Sequence, residues 1–368
     1  MAGHPESLFQ PAEGPTLAPR SVAPPASSSA GAPRTPILGW LRRISLNDWI
    51  VLAYLSVLDC SVLASPHHGP ERDRAILEVS ALLFCFFTVV VVLVRGGVLT
   101  HPWLRPLAFR LGHYGGIQLT YFVMRGLLPV VNPGSVDLEL HQLGMHWFGV
   151  EPALALQSWI SPASTEWFAF FYYGYFFVLG LHVIPIIFFG RDSRLLSEFA
   201  LGLLLVLALG QSLYLLVPGY GPAKGLPELF SVELPNGVWW YLVKDLVASA
   251  GAQKDIFPSI HTAAPSFILL FSFHNRAYLP YRYSWPLVAF FVFNIIVATM
   301  FLRWHWLVDI LAGLMLALLA FAGSVYGSRW ETRHRSTRGL PPAWPSWPGA
   351  SALPGHAREI QAPAQKPS

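Results

Sequence analysis

Long apolar runs alternate with short polar segments along most of the chain. Each run is close to the roughly 20 residues that a helix needs to cross a bilayer. Gly and Pro inside several runs do not argue against helix, because transmembrane helices tolerate them. The pattern therefore predicts an all-α integral membrane protein with about eight transmembrane helices. The predicted crossings are residues 47–65, 76–95, 111–131, 165–190, 195–217, 258–275, 284–302 and 306–326.

The two ends of the chain and one long connection have a different pattern. Residues 1–36 are rich in Pro, Ala, Ser and Gly. A segment of this composition cannot bury a core, so we expect a disordered N-terminal tail. Residues 336–368 have the same Pro-rich character and are predicted to form a second tail. The connection 132–164 mixes acidic and apolar residues at roughly helical spacing, which indicates short amphipathic helices on the membrane surface.

Composition strengthens the membrane interpretation. Hydrophobic residues make up 54% of the chain and charged residues only 12%, whereas a soluble globular chain is about 25% charged. The net charge of +4 could indicate a nucleic acid partner. However, the basic residues lie beside the apolar runs instead of forming one basic surface, so no nucleic acid is expected. Cys60 and Cys85 both lie within apolar runs, which argues against a disulfide framework.

The basic residues also predict an orientation, since cytoplasmic loops carry an excess of Lys and Arg. With the N-terminus inside, 17 of the 24 Lys and Arg residues fall on the cytoplasmic side, six fall outside and Arg125 lies within a helix. Both termini are therefore expected in the cytoplasm. The segments 132–164, 218–257 and 303–306 would then lie on the extracytoplasmic face of the cell membrane.

Two polar segments at that face carry residues suited to binding an anion. VPGYGPAKG (217–225) places Lys224 in a turn whose glycines let the backbone approach a ligand closely. DIFPSIHTAAP (255–265) opens the sixth predicted helix, and the free N–H groups of a helix N-terminus favour an anion. Ser259 adds a hydroxyl donor there, and His261 lies on the same turn.

A third polar segment, FLRWHWLVDILAG (301–313), joins the seventh and eighth predicted helices. His305 and Asp309 are four residues apart and would share one face of a helix. A carboxylate that binds one imidazole nitrogen sets the tautomer and makes the other nitrogen a better nucleophile or base. Arg303 can present its planar guanidinium to a phosphate.

Together, the three segments favour phosphoryl or phosphodiester transfer. One histidine would attack phosphorus while the other protonates the leaving oxygen, and the basic side chains would neutralise the phosphate. Two alternatives stay open. The site could belong to a metal-dependent hydrolase with His261, His305 and Asp309 as zinc ligands. It could also be the substrate site of a transporter, although the sequence shows no inverted repeat or interrupted mid-membrane helix of the kind common in transporters.

These motifs resemble those of the type 2 phosphatidic acid phosphatase superfamily. FPSIH (257–261) is preceded by a Gly-Pro turn with a basic residue and followed by R-x-H-x-x-x-D. FPSIH, GPAK and the aromatic-rich H-x-x-x-D are similar to the inositol phosphorylceramide synthase branch of fungi. The resemblance covers roughly 111–326 and implies a six-helix catalytic core there. It leaves two added transmembrane helices in 37–110 and a cytoplasmic Pro- and Arg-rich tail in 327–368.

The resemblance also implies an activity and a set of roles. The enzyme would cleave or transfer the phosphoester headgroup of a phospholipid or another lipid phosphate through a phosphohistidine intermediate, with no cofactor and no metal. His305 would be the nucleophile, Asp309 its orienting partner and His261 the general acid. The phosphate would be held by Ser259, Arg303 and Lys224.

Some positions depart from the superfamily's pattern or have no single interpretation. The phosphatase motif K-x6-R-P is absent, and Thr299 stands where the third phosphatase motif has an arginine. Hydrolysis and transfer to a lipid hydroxyl use the same intermediate, so both stay open. Arg125, within a predicted helix, could contact a lipid headgroup, reach the interface or pair with another helix. Asp137, His141 and His146 receive no role.

Overall fold

The computed structural model describes residues 41–349, and this part of the chain forms helices and no strand. The α-helix Pro70–Phe86 continues as a π-helix over Phe87–Arg95, and the α-helix Pro162–Val183 continues as a π-helix over Ile184–Phe189. Single 3-10 turns cover Leu156–Trp159 and Pro227–Leu229. The α-helices are α1 (Leu46–Leu63), α2 (Pro70–Phe86), α3 (Leu104–Val131), α4 (Asp137–Phe148), α5 (Pro152–Ala155), α6 (Pro162–Val183), α7 (Ser193–Tyr214), α8 (Pro222–Gly225), α9 (Val238–Ala250), α10 (Ile260–His274), α11 (Tyr281–Phe301) and α12 (Leu307–Thr337).

Six of the described helices are long and apolar enough to cross a membrane: α1, α2, α6, α7, α11 and α12, with α2 and α6 counted together with their π-helical extensions. The predicted all-α membrane fold is confirmed, whereas two of the eight predicted crossings differ. The third lies within α3, which carries Arg105, Arg110 and His113 among its 28 residues. The sixth is α10, which is apolar but has 15 residues. At 1.5 Å per residue, α10 covers about 22 Å and is shorter than the hydrocarbon core.

Helix α10 lies at the centre of the bundle that carries the site. It packs against α6, α7, α11 and α12, and Ala263, Phe267 and Phe271 are completely buried. The close approach of α7 depends on Gly202, where a Cβ atom would lie 2.1 Å from the Phe267 ring. A helix that is apolar on all sides is stable when other helices surround it, so α10 is held in place by its neighbours.

The N-terminal helices form a neighbouring group. Helix α3 packs mainly against α1 and α2, although the resemblance described above predicts that it belongs to the six-helix core. At one end of this group the Asp48 carboxylate accepts a hydrogen bond from Arg95 Nε at 2.7 Å and lies 3.0 Å from His113 Nε2. All three side chains are buried. These charged groups therefore join α1, the π-helical extension of α2 and α3.

The connection 132–164 contains the short helices that its pattern predicts, namely α4, α5 and the 3-10 turn after α5. One face of α4 is buried through Asp137, Leu140 and Gly144. Helix α4 packs against α12, and a Cβ atom on Gly144 would lie 3.6 Å from the Val308 side chain. The connection therefore covers the start of α12.

The end of the described chain is folded against α3. The segment after α12 returns to the bundle, where Trp344 is 3% exposed and its ring lies 5.0 Å from that of Phe109. Arg110 donates to the Pro345 carbonyl oxygen at 2.9 Å. The structure thus differs from the predicted tail over 338–349, because tryptophan supplies apolar surface that can be buried. The predicted tail 1–36 and residues 350–368 lie outside the described residues.

Candidate active site

The start of α10 holds His261 in place. Ser259 is the N-cap of this helix, and its hydroxyl oxygen accepts a hydrogen bond from Thr262 N at 3.2 Å. Ser259 N donates to the Asp309 carbonyl oxygen at 3.0 Å, which ties α10 to the first turn of α12. Gly313 permits this contact, since a Cβ atom there would lie 2.6 Å from the Ser259 carbonyl oxygen. The position of His261 is consequently set relative to α12.

A tight link, residues 302–306, carries His305 from α11 into α12. The N–H groups of Trp304 and His305 both donate to the Thr299 carbonyl oxygen, at 2.9 and 3.2 Å. Arg303 has a φ of +63°, in the left-handed region that few non-glycine residues adopt. The link therefore reverses the chain within a few residues, and His305 is buried where the two helices meet.

The Asp309 carboxylate makes two contacts in the first turn of α12. Its Oδ2 atom accepts a hydrogen bond from Trp306 N at 2.8 Å and lies 3.5 Å from His305 Nδ1. The second distance suits an ion pair but exceeds the roughly 2.7–3.2 Å of an N–H···O hydrogen bond, and catalytic hydrogen bonds are often long before substrate binds. Because Nδ1 of His305 faces Asp309, Nε2 is the nitrogen available to a substrate.

The two histidines line one cavity. Their ring centroids are 6.2 Å apart, and His261 is stacked on Tyr172 with 4.6 Å between centroids. The cavity has a volume of about 140 Å³, well below the roughly 300–1000 Å³ of sites that enclose a drug-sized ligand. It therefore has room for a phosphate group and part of its substituent but not for a whole lipid.

Lys224 is the predicted phosphate ligand that lines this cavity. Its Nζ atom donates to Gln253 Oε1 at 3.0 Å and lies 4.6 Å from the centroid of the Tyr220 ring. The side chain is exposed, so its ammonium group can exchange Gln253 for an anion without being buried. The structure thus brings Lys224 to the same cavity as both histidines.

Two other predicted phosphate ligands do not line the cavity. The Arg303 guanidinium donates to the Val232 carbonyl oxygen and lies 4.3 Å from the centroid of the Phe230 ring. The Ser259 side chain is completely buried, and its oxygen caps α10. Phosphate binding by these residues stays a prediction, and for Arg303 it requires the side chain to leave its present contacts.

Arg125 lies beside the C-terminal end of α9. Its Nη1 atom donates to the carbonyl oxygens of Ala248 and Ser249, at 2.6 and 3.1 Å. Carbonyl groups at a helix C-terminus favour a cation, so this contact joins α3 to α9. Arg125 does not line the cavity, and its contact with a headgroup stays a prediction.

Asp137, to which the sequence pattern assigns no role, organises the turn 217–225. Its Oδ1 atom accepts hydrogen bonds from Gly221 N at 2.9 Å and from Trp306 Nε1 at 3.0 Å, and its Oδ2 atom accepts one from Tyr220 N at 2.7 Å. These bonds connect the turn to the link between α11 and α12. The signal in the sequence was an acidic residue in a segment that mixes acidic and apolar residues, which does not reveal its partners.

Asp255 is a second residue that sequence reasoning missed. It lines the same cavity as the histidines, and its Oδ2 atom accepts a hydrogen bond from the Tyr121 hydroxyl at 3.0 Å. Burial raises the pKa of the Asp255 carboxyl, and the Tyr121 hydroxyl and His305 partly offset this effect. The sequence feature that could have identified Asp255 is its position at the start of the segment 255–265, because a residue next to a motif often lies in the same site.

The side chains required by the zinc alternative do not form a metal site. Within residues 41–349, no group of three His, Cys, Asp or Glu side chains could hold one ion. Asp309 faces the Nδ1 atom of His305, so the histidine and the carboxylate are arranged as a pair.

Comparison with known proteins identifies a family for this region. Residues 140–323 match the family described as the PAP2 superfamily, and the match spans half of the chain. The matched residues include His261, His305 and Asp309 and begin after α3. No curated protein and no solved structure matches the chain.

Proposed function

The chain belongs to the PAP2 superfamily, and we propose that its histidine cavity cleaves or transfers the phosphoester headgroup of a lipid through a phosphohistidine intermediate. PAP2 proteins are phosphatases and phosphotransferases, so the chain is a membrane protein acting on phosphoesters. The observation that carries the finer proposal is that His261 and His305 line one cavity, with Asp309 3.5 Å from His305.

In the first step, Nε2 of His305 attacks phosphorus and forms a P–N bond while the P–O bond to the leaving group breaks. Protonated His261 gives its proton to the leaving oxygen. Asp309 keeps Nδ1 of His305 protonated and stabilises the positive charge that develops on the ring. The ring centroids are 6.2 Å apart, so one phosphoester group can contact both histidines.

In the second step, the oxygen of water or of a lipid hydroxyl attacks phosphorus and the P–N bond breaks. His261, now neutral, takes the proton of the attacking oxygen, which restores its starting state. Attack by water completes a hydrolysis, whereas attack by a lipid hydroxyl forms a new phosphoester. The acceptor that reaches the cavity therefore decides between phosphatase and phosphotransferase.

Phe122 and Phe176 support a lipid substrate. Both line the cavity and both are exposed, on α3 and α6 respectively. An apolar chain attached to a phosphate in the cavity can therefore leave it along aromatic side chains that face the hydrocarbon of the bilayer. This arrangement fits the small volume of the cavity, which accepts the headgroup alone.

We place the cavity on the extracytoplasmic side of the cell membrane. The bonds of Asp137 to Tyr220 and Trp306 bring three predicted outer segments together, so these segments share one side. The excess of Lys and Arg in the opposite loops favours the cytoplasm for those loops.

Replacement of His305 tests the mechanism. His305→Ala should lower turnover by at least about three orders of magnitude, because the variant lacks the side chain to which the mechanism assigns the P–N bond. Turnover is measured as release of diacylglycerol from lipid phosphoesters by the purified protein. His146→Ala, an exposed histidine on α4, is the matched control and should keep native turnover. Native turnover by His305→Ala would refute the mechanism, provided that both variants show the native unfolding temperature.

The acceptor is identified with a panel of phospholipids, supplied with and without ceramide or diacylglycerol. A water-soluble phosphate product indicates a phosphatase. A new phosphodiester lipid indicates a transferase and would support similarity to the inositol phosphorylceramide synthase branch. Uptake of the lipid into vesicles without chemical change would instead support the transporter alternative.

A further inference from the structure

Asp255 introduces a carboxylate into a cavity that otherwise suits an anion. Asp255 lines the same cavity as His261, His305 and Lys224. The two-step mechanism gives it no task, because His305 already has Asp309 as its partner. A negative group at this place would repel a phosphate that enters the cavity.

The charged side chains of the cavity nearly balance. Of the described residues that line it, Lys224 is the one Lys or Arg and Asp255 is the one Asp or Glu. The guanidinium groups of Arg303 and Arg125 bind backbone carbonyl oxygens elsewhere. Protonated His261, which the proposed first step requires, adds one positive charge. This surplus can neutralise a ligand that carries one negative charge but not a ligand that carries two.

The hydrogen bonding of Asp255 favours its charged form. The Tyr121 hydroxyl donates to Oδ2 at 3.0 Å, and a carboxylate accepts such a bond better than a neutral acid does. His305 lies along the same cavity and carries positive charge during the reaction. Both groups stabilise a negative charge on Asp255 and partly offset the burial that raises the pKa of this carboxyl.

Phosphomonoesters and phosphodiesters differ in charge. The second pKa of a phosphomonoester is about 6, so it carries close to two negative charges at pH 8, whereas a diester has one acidic group and carries one. In a cavity from which part of the water is excluded, each additional negative charge near a carboxylate raises the free energy of the bound state. The carboxylate therefore opposes the monoester more than the diester.

We propose that Asp255 is a specificity-determining residue that selects singly charged phosphodiesters over doubly charged phosphomonoesters. This inference rests on the proposed function, since it requires a lipid phosphoester to react in the cavity. It also gives the cavity a substrate class, namely phospholipids whose phosphate carries a second substituent.

The test compares phosphatidate with phosphatidylmethanol at pH 8, in mixed micelles, by the release of diacylglycerol. The two lipids have the same leaving group and differ by one methyl group and one charge. The native protein should have the higher kcat/KM for phosphatidylmethanol. Asp255→Asn keeps the size of the side chain and an oxygen for the Tyr121 hydroxyl, and it should lower the diester-to-monoester ratio of kcat/KM by about tenfold.

Asp245→Asn is the matched control, because Asp245 is exposed on α9 outside the cavity, and it should keep the native ratio. An unchanged ratio in Asp255→Asn would overturn the inference, as would an equal loss of both activities in a folded variant. Should Asp255→Asn fail to fold, preference of the native protein for phosphatidate would overturn the inference by itself. Failure of the native protein to turn over either lipid would overturn the proposed function as well.

Discussion

At the scale of single residues, Asp137 shows how one buried carboxylate can align the parts of a site. It is 3% exposed and accepts hydrogen bonds from two N–H groups of the turn 217–225 and from the indole of Trp306. Hydrogen bonds to a charged group contribute about 1.5–3 kcal/mol each. The turn that carries Lys224 and the link that carries His305 are therefore coupled through Asp137, which belongs to neither segment.

We expect Asp137→Asn to lower kcat by about 10- to 100-fold with a smaller change in KM. The amide NH₂ group of Asn would meet an N–H donor, which displaces the turn and the link, and a displacement of about 1 Å can reduce a rate by about 100-fold. Steady-state kinetics of the purified variant measure both constants. Glu139→Gln, exposed on the same helix, should keep native kinetics. A native kcat in Asp137→Asn would show that this carboxylate does not position the site.

At the scale of helices, the structure separates the elements that carry the site from those that support them. His261 and Asp309 lie on α10 and α12, and His305 lies in the link between α11 and α12. Helices α6 and α7 pack against α10. The segment after α12 crosses to α3, where Trp344 also contacts the rings of His113 and Tyr114. The last described residues thus fasten the C-terminal end of the bundle to the N-terminal helices.

Replacement of Trp344 measures this connection. Trp344→Ala should reduce the free energy of unfolding by about 3–5 kcal/mol, the usual cost of removing a buried tryptophan. The kcat of the folded protein should stay near the native value, since Trp344 does not line the cavity. Trp330→Ala removes a tryptophan that is 58% exposed on α12 and should change stability by less than about 0.5 kcal/mol. Equal unfolding free energies for the two variants would show that the C-terminal segment contributes no stability.

At the scale of the whole molecule, the packing brings distant parts of the chain to one end of the bundle. Turn 217–225, the start of α4 and the link between α11 and α12 meet there through Asp137. The distribution of Lys and Arg predicts that this end faces the extracytoplasmic side. Substrate would then enter from the outer leaflet.

Thiol labelling in intact cells tests this orientation. Cys60 and Cys85 are exposed and are first replaced by alanine. Single cysteines are then introduced as Glu233→Cys in the predicted outer segment 218–257 and Thr332→Cys on the last turns of α12, both at exposed positions. A membrane-impermeant maleimide should label Glu233→Cys in intact cells and Thr332→Cys only after lysis. The reverse pattern would place the cavity in the cytoplasm.

The sequence by itself determined the fold class and the central pair of the candidate site. The lengths of the apolar runs indicate membrane helices because run length is a local property of the chain. Helix α10 is harder to predict from its length, since it has 15 residues and is buried by the helices around it. The pairing of His305 with Asp309 also acts locally, although not on one helix face as the spacing predicts. His305 lies in the link directly before α12, and Asp309 lies in the first turn of that helix. These features could be predicted without knowledge of any contact between distant residues.

Only the tertiary structure decided which other polar groups meet at the cavity. Lys224 lines it, although it is distant from His305 in the sequence. Arg303, two residues before His305, binds a backbone carbonyl oxygen instead. Asp137 and Asp255 receive their partners from segments far away in the chain. The physical reason is that the partner of a single charged side chain is set by how helices pack, and packing depends on contacts that no local pattern contains.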